Sequence, residues 1–129
     1  DLSTSLVINA PTPAFQRSKL VLGNTVTEAP TAITFMFALN SPLETSDTIT
    51  LVLPEFTFSS PATPGATGCG STTFTVADAD SGLATAALTF TAATATLNAY
   101  QECMVSVGTG VSTGANAQGA NLAGRTVAN

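Results

Sequence analysis

Apolar and polar residues alternate most strictly between Ala32 and Pro54. Ile33, Phe35, Phe37 and Leu39 fall on one side of an extended chain, and Thr34, Met36 and Ala38 on the other. After a polar stretch, Ile49, Leu51 and Leu53 alternate with Thr48, Thr50 and Val52. A period of two is that of a strand with one face in a core, so the pattern predicts strands over 33–39 and 48–53. Their inward sets are expected to form the centre of the core. Their outward set, Thr34, Met36, Thr48, Thr50 and Val52, is expected to offer a neutral face to a neighbouring module, a glycan or another layer. The connection over 40–47 is too long for a two-residue hairpin and suits a crossing between sheets.

Weaker patterns extend the reading in both directions. Leu2, Thr4, Leu6 and Ile8 share one side until Ala-Pro-Thr-Pro stops the run, which predicts an edge strand. Leu20 and Leu22 against Val21 predict a short strand over 19–23, and Pro30 suits the position just before a strand, where its missing N–H harms no ladder. Residues 55–58 extend the run after Leu53, and 59–70 collect Pro, Gly, Ser and Thr as a loop that delivers Cys69. Phe74 and Val76 share a face of a strand over 71–77, which Asp78 to Gly82 turns.

Over 83–92, Ala84, Ala86, Leu88 and Phe90 alternate with Thr85, Ala87, Thr89 and Thr91. A helix is the rival there, since Leu83, Ala87, Phe90, Leu97 and Met104 fall near a helical stripe. Recurrent Thr and the lack of charged i,i+4 pairs favour a strand. A short strand or corner over 94–100 follows, then a strand over 102–107 with Cys103, Val105 and Val107 on one face. Residues 108–124 read as loop or a weak strand around Val111, and 125–129 as a closing strand through Val127 or a lead into a further unit. Short runs separated by turn clusters predict an all-β fold: one domain over 1–129, an antiparallel Ig-like β-sandwich of about seven to eight strands with one disulfide, and a linker or exchanged strand at either end.

Composition sharpens this reading. Charged residues make up 9% of the 129, against roughly a quarter in ordinary globular chains, yet 44% are hydrophobic, enough for a core. Solubility must come from neutral groups, above all Thr, which is also strand-compatible. Eight acids face Arg17, Lys19 and Arg125, for a net charge of −5. So few cations disfavour nucleic acid and anionic membranes as partners. The uncharged run between Asp80 and Glu102 is too rich in Thr, Ser, Gln and Asn to span a membrane.

The two cysteines, Cys69 and Cys103, have neither CxxC spacing nor a histidine to suggest zinc or redox chemistry. An even pair in such a domain predicts a structural disulfide and an extracellular or cell-surface location; the alternative is two buried free thiols. Closing a loop of this length is worth about 3–4 kcal/mol. The pair loosely echoes the immunoglobulin pattern, with Tyr100 three residues before Cys103 instead of two and no Trp between the cysteines. Asp1 in place of Met points to a removed signal peptide or to an excerpt of a longer chain.

Catalytic arrangements find little material. Without histidine there is no Ser-His-Asp or Cys-His site. Ser18 and Lys19 are adjacent, so on a strand they point to opposite faces and form no dyad. Paired carboxylates could hydrolyse glycosides, but sugar sites also present aromatic platforms, and this chain has no Trp and one Tyr. No enzyme activity and no cofactor are expected.

Asp78, Asp80 and Gly82 resemble the front of a calcium loop, but Leu83 and Ala follow where further oxygen ligands belong. A turn with locally capping carboxylates is the simpler reading, with Asp78 and Asp80 kept as weak metal candidates. Glu44 and Asp47 read as solvated loop charges. Thr57, Thr63 and Thr67 lie in a Thr/Ser/Pro cluster suited to O-glycosylation or to an unmodified polar loop. No Asn heads an Asn-x-Ser/Thr triplet.

The phrase Ile-Thr-Phe-Met-Phe-Ala-Leu-Asn-Ser-Pro-Leu-Glu-Thr-Ser-Asp-Thr-Ile-Thr-Leu-Val-Leu-Pro-Glu-Phe, ending at Phe56, resembles repeats in very large extracellular or cell-surface proteins of algae and other protists. Those repeats share the strand, an Asn-x-Leu turn, Asp-Thr-Ile-Thr-Leu and a Leu-Pro-x-Phe ending. The likeness spans about a fifth of the chain and leaves out the cysteines. It implies an Ig-like module of a fibrous or surface protein, with no catalytic residues to carry over. The function expected is a structural or adhesive extracellular module, a bead in a tandem array or a filament subunit, whose partners are copies of itself or neighbouring modules, joined by strand or face packing, and glycans. The alternative is a sandwich that binds a glycan or calcium.

Overall fold

The central strands pair across long sequence separations, and one reciprocal contact locks them. A computed structural model describes residues 15–23, 26, 28–114 and the backbone of Arg125–Ala128. Its strands are β1 (Phe15–Leu22), β2 (Ile33–Leu39), β3 (Thr48–Val52), β4 (Thr57–Phe58), β5 (Gly65–Thr67), β6 (Thr73–Ala79), β7 (Ala87–Ala93), β8 (Cys103–Val107), β9 (Val111–Ser112) and β10 (Arg125–Ala128). They form two four-stranded sheets, β1-β2-β8-β5 and β10-β3-β7-β6, and a small β4-β9 pair. Every pairing is antiparallel, and the described residues contain no helix.

The alternation in the sequence becomes the core. Ile33, Phe35, Phe37 and Leu39 from one sheet and Ile49, Leu51 and Leu53 from the other are buried in a single cluster. Phe35 and Phe37 stack with centroids 5.4 Å apart, Phe15 packs edge-on against both, and Phe37 meets Phe74 of the opposite sheet edge-on at 6.4 Å. Such ring pairs add roughly 0.5–1.5 kcal/mol each beyond area burial.

Residues 40–47 cross from one sheet to the other, as their length predicted. A second crossing, residues 94–102, carries β7 to β8, and the two crossings touch. The Leu43 N–H donates to the Leu97 carbonyl (2.9 Å) and the Leu97 N–H to the Leu43 carbonyl (2.8 Å), with both side chains fully buried. Each crossing then makes the same turn: the Asp47 N–H reaches the Glu44 carbonyl at 3.0 Å, and the Gln101 N–H the Asn98 carbonyl at 3.3 Å. Ser46 and Tyr100 occupy equivalent positive-φ positions, at 79° and 65°.

The equivalence extends along both ribbons. Ile33, Phe35, Phe37, Leu39, Leu43, Ile49, Leu51 and Leu53 match, in order, Ala86, Leu88, Phe90, Ala92, Leu97, Cys103, Val105 and Val107, all buried. β2 pairs with β8 and β3 with β7, so two like ribbons lie side by side as a pseudo-two-fold pair. The remaining strands flank this centre.

Several boundaries differ from expectation. β1 begins at Phe15 instead of Lys19; a register shift between Phe15 and Arg17 interrupts the alternation there. The expected loop over 59–70 contains β5, an edge strand exposed along its whole length. β6 runs on to Ala79, so Asp78 belongs to the ladder opposite Leu88. β7 starts at Ala87, because residues 80–86 fold back through Leu83 N–H to Asp80 O (2.9 Å) and Ala86 N–H to Leu83 O (3.0 Å), leaving Leu83 57% exposed. The strand expected over 2–8 lies outside the described residues, and β10 supplies the strand expected near Val127.

Leu43→Ala and Leu97→Ala are each expected to cost about 2–5 kcal/mol in urea unfolding, since both leave a cavity where the crossings meet. The double variant should depart from additivity because the two residues share one contact. Glu44→Ala, one position along and exposed, should change stability by less than about 0.5 kcal/mol.

Candidate functional site

Cys69 and Cys103 form a disulfide with a Cα separation of 4.6 Å, and both are buried. Cys69 follows edge strand β5 and Cys103 opens β8, its hydrogen-bonded neighbour. The bridge therefore joins adjacent strands within one sheet, unlike the immunoglobulin pattern it loosely echoed, which spans two sheets. The echo fails at Tyr100 as well, where the side chain is 60% exposed and only the backbone is engaged, its N–H donating to the Leu39 carbonyl at 2.7 Å.

The weak metal candidates do not converge. Asp78 stays in the β6 ladder, whereas Asp80 has a φ of 56° at the turn and accepts a 2.9 Å hydrogen bond from Thr85 Oγ1. Asp47 Oδ2 accepts from the Glu44 N–H at 2.9 Å, a local turn cap. Among the described residues no three His, Cys, Asp or Glu side chains gather to hold a metal. Thr57, Thr63 and Thr67 are all exposed, Thr57 on β4 and Thr67 on β5. Ser18 and Lys19 are consecutive in β1, opposite Phe37 and Met36.

A cleft of about 560 Å³ opens instead at the end of the sheets away from the two crossings. Glu28, Glu55, Thr57, Gly82, Ser112, Thr113 and Gly114 line it. Thr113 is buried; its hydroxyl accepts from the Ala29 N–H (3.0 Å) and donates to the Val26 carbonyl, lacing the β1–β2 loop to the segment after β9. The Glu28 N–H donates to the Gly114 carbonyl at 3.0 Å, and the Glu55 N–H to the Leu83 carbonyl at 2.8 Å. Gly114 is required here, since a Cβ would come within 2.8 Å of the Glu55 carbonyl oxygen and Cβ.

Both glutamates have positive φ, 50° and 67°, a conformation a sequence pattern assigns to Gly or Asn. Sequence reasoning passed over them for that reason. Chemically the cleft offers two carboxylates and neutral hydroxyls, a set that accepts hydrogen bonds from a polyol or an amine. Among the described residues no cation or imidazole lines it.

The two outer faces differ. Because β2 and β3 belong to different sheets, the single outer face expected for Thr34, Met36, Thr48, Thr50 and Val52 is divided between the two sides of the molecule. The side carrying Thr34 and Met36 also carries Lys19 and Arg17, whose Nε lies 3.4 Å from Glu102 Oε2. Between groups more than half exposed, that pair contributes little. The side carrying Thr48 and Thr50 has no charged residue at the outward positions of β3, β6 and β7. It presents Thr48, Thr50 and Val52 from β3, Ala87, Thr89, Thr91 and Ala93 from β7, and Thr73, Thr75, Ala77 and Ala79 from β6.

No protein-family model and no curated protein sequence matches the chain.

Replacing both cysteines with Ser, or reducing the bridge, is expected to cost about 2–5 kcal/mol of stability. Because β5 buries none of its own side chains, it should lose its hold on β8 first. Amide exchange should rise at residues 65–67 and 104–106 before it rises in β3 and β7.

Proposed function

We propose that the chain is a structural or adhesive module of an Ig-like sandwich type, working outside the cell as a bead in a tandem array or as a filament subunit. The disulfide supports an oxidising location. The charge-poor, Thr-rich surface and the resemblance over residues 32–56 to repeats of large surface proteins point the same way.

The observation that carries the assembly reading is the outer edge of β6. Free sheet edges are ordinarily protected by shortness, bulges or charge. β5 has three residues, and β1 has a register shift with Arg17 and Lys19 beside it. β6 has seven residues, pairs only with β7 among the described strands, and carries Asp78 as its single charge. A strand from a neighbouring copy or module could add there through main-chain hydrogen bonds.

A second reading, a ligand-binding sandwich for a glycan or calcium, is favoured by the cleft. Glu28 and Glu55 replace Asp78 and Asp80 as its leading residues. Calorimetry with about millimolar calcium, the range of extracellular calcium modules, tests the metal version on the wild type and on Glu55→Gln. No heat in the wild type removes it.

Electron microscopy of native material should show filaments or beaded chains, with Ala77→Lys at the β6 edge shortening assemblies of purified protein while the fold persists. Monomers at high concentration with no longer parent chain would end the assembly reading.

A further inference from the structure

The charge-free face is regular as well as neutral. Thr48 stands level with Thr91, and Thr91 with Thr75; Thr50 stands level with Thr89, and their hydroxyls lie 3.3 Å apart. Three Thr-x-Thr segments on adjacent strands, 48–50, 89–91 and 73–75, thus face the same way. Neighbouring strands are about 4.7–4.9 Å apart, and residues two apart along a strand about 6.6–6.8 Å. We propose that this face, centred on Thr48, Thr50, Thr89 and Thr91, binds the surface of ice.

The argument rests on what a solid of water demands. Two oxygens hydrogen-bonded to a common tetrahedral neighbour at about 2.7–2.8 Å stand about 4.5 Å apart, close to the cross-strand spacing. A threonine hydroxyl can take the place of one lattice oxygen, and its methyl group orders the water beside it. β-Branching limits each threonine to few χ1 rotamers; the Thr50 and Thr89 hydroxyls, hydrogen-bonded to each other at 3.3 Å, take the lattice spacing when one of them turns from its neighbour to the ice.

A charged side chain would hold a hydration shell that the ice surface cannot compensate. The outward positions of β3, β6 and β7 carry no charge, whereas the opposite side carries Arg17, Lys19 and Glu102. Sheet twist of about 20–25° per strand confines the match to the central strands, with Thr75 at its margin. A single domain therefore offers a small patch, and an array of domains would multiply it.

The inference does not depend on assembly through β6, and its test uses the disulfide-intact monomer. Protein is partitioned between slowly growing ice and the remaining liquid, and the shape of single ice crystals is recorded. The wild type should be enriched in ice and should facet the crystals. Thr50→Lys and Thr89→Lys should be excluded from ice like a protein that does not bind it, and Thr34→Lys on the opposite sheet should behave as wild type. Circular dichroism melts report folding; if a central variant does not fold, Thr75→Lys, at an exposed position of the same face, should show a partial loss.

Exclusion of the wild type from ice overturns the proposal. So does equal loss in Thr34→Lys, or sedimentation showing that the threonine face is buried between two copies. Retention on insoluble cellulose with exclusion from ice would reassign the face to a different hydroxylated solid and overturn it too.

Discussion

Two hydrogen bonds exchanged between Leu43 and Leu97 hold the point at which both sheets are joined. Each leucine sits midway along a segment that leaves one sheet and enters the other, with its side chain fully buried. If either crossing shifted, β2 would lose its alignment with β8 and β3 with β7, because both registers are measured from that point. A slip of one residue would turn Phe35 and Phe37 outward and bring Met36 and Thr34 inward. The aromatic cluster, the disulfide position and the threonine face all follow from one local alignment.

Much of this was legible because strand burial has a simple period. The inward set from Ile33 to Leu53 is buried as the alternation implied, the crossing over 40–47 lies where its length placed it, and Cys69 meets Cys103. The second ribbon was harder to see. Ala86 and Ala92 stand where the first has Ile33 and Leu39, and Cys103 stands for Ile49, so a shared geometry is written in residues of different size. Alanine also reads equally as strand, turn or helix, which is why the alternation starts four residues ahead of β7.

The cleft was illegible for a different reason. Glu28 and Glu55 lie near it because their backbones take positive φ and because Gly114 allows close approach, and none of these appears as a motif. Asp78 and Asp80 had the motif without the geometry. A ladder pairing at Asp78 and a turn at Asp80 separate two residues that a loop would have brought together.

The paired ribbons also constrain the order in which the chain can acquire structure. β2 has β1 beside it early, but the partners that join the two ribbons, β8 for β2 and β7 for β3, come from the second half, so during synthesis the first ribbon must wait, with its apolar face uncovered, until most of that half has been made. The disulfide joins that schedule late, since Cys69 cannot close before Cys103 arrives beside β2. A chain built this way spends its vulnerable interval before oxidation. Its scarcity of charge, harmless in the folded protein, then leaves the waiting strands with little to keep them apart.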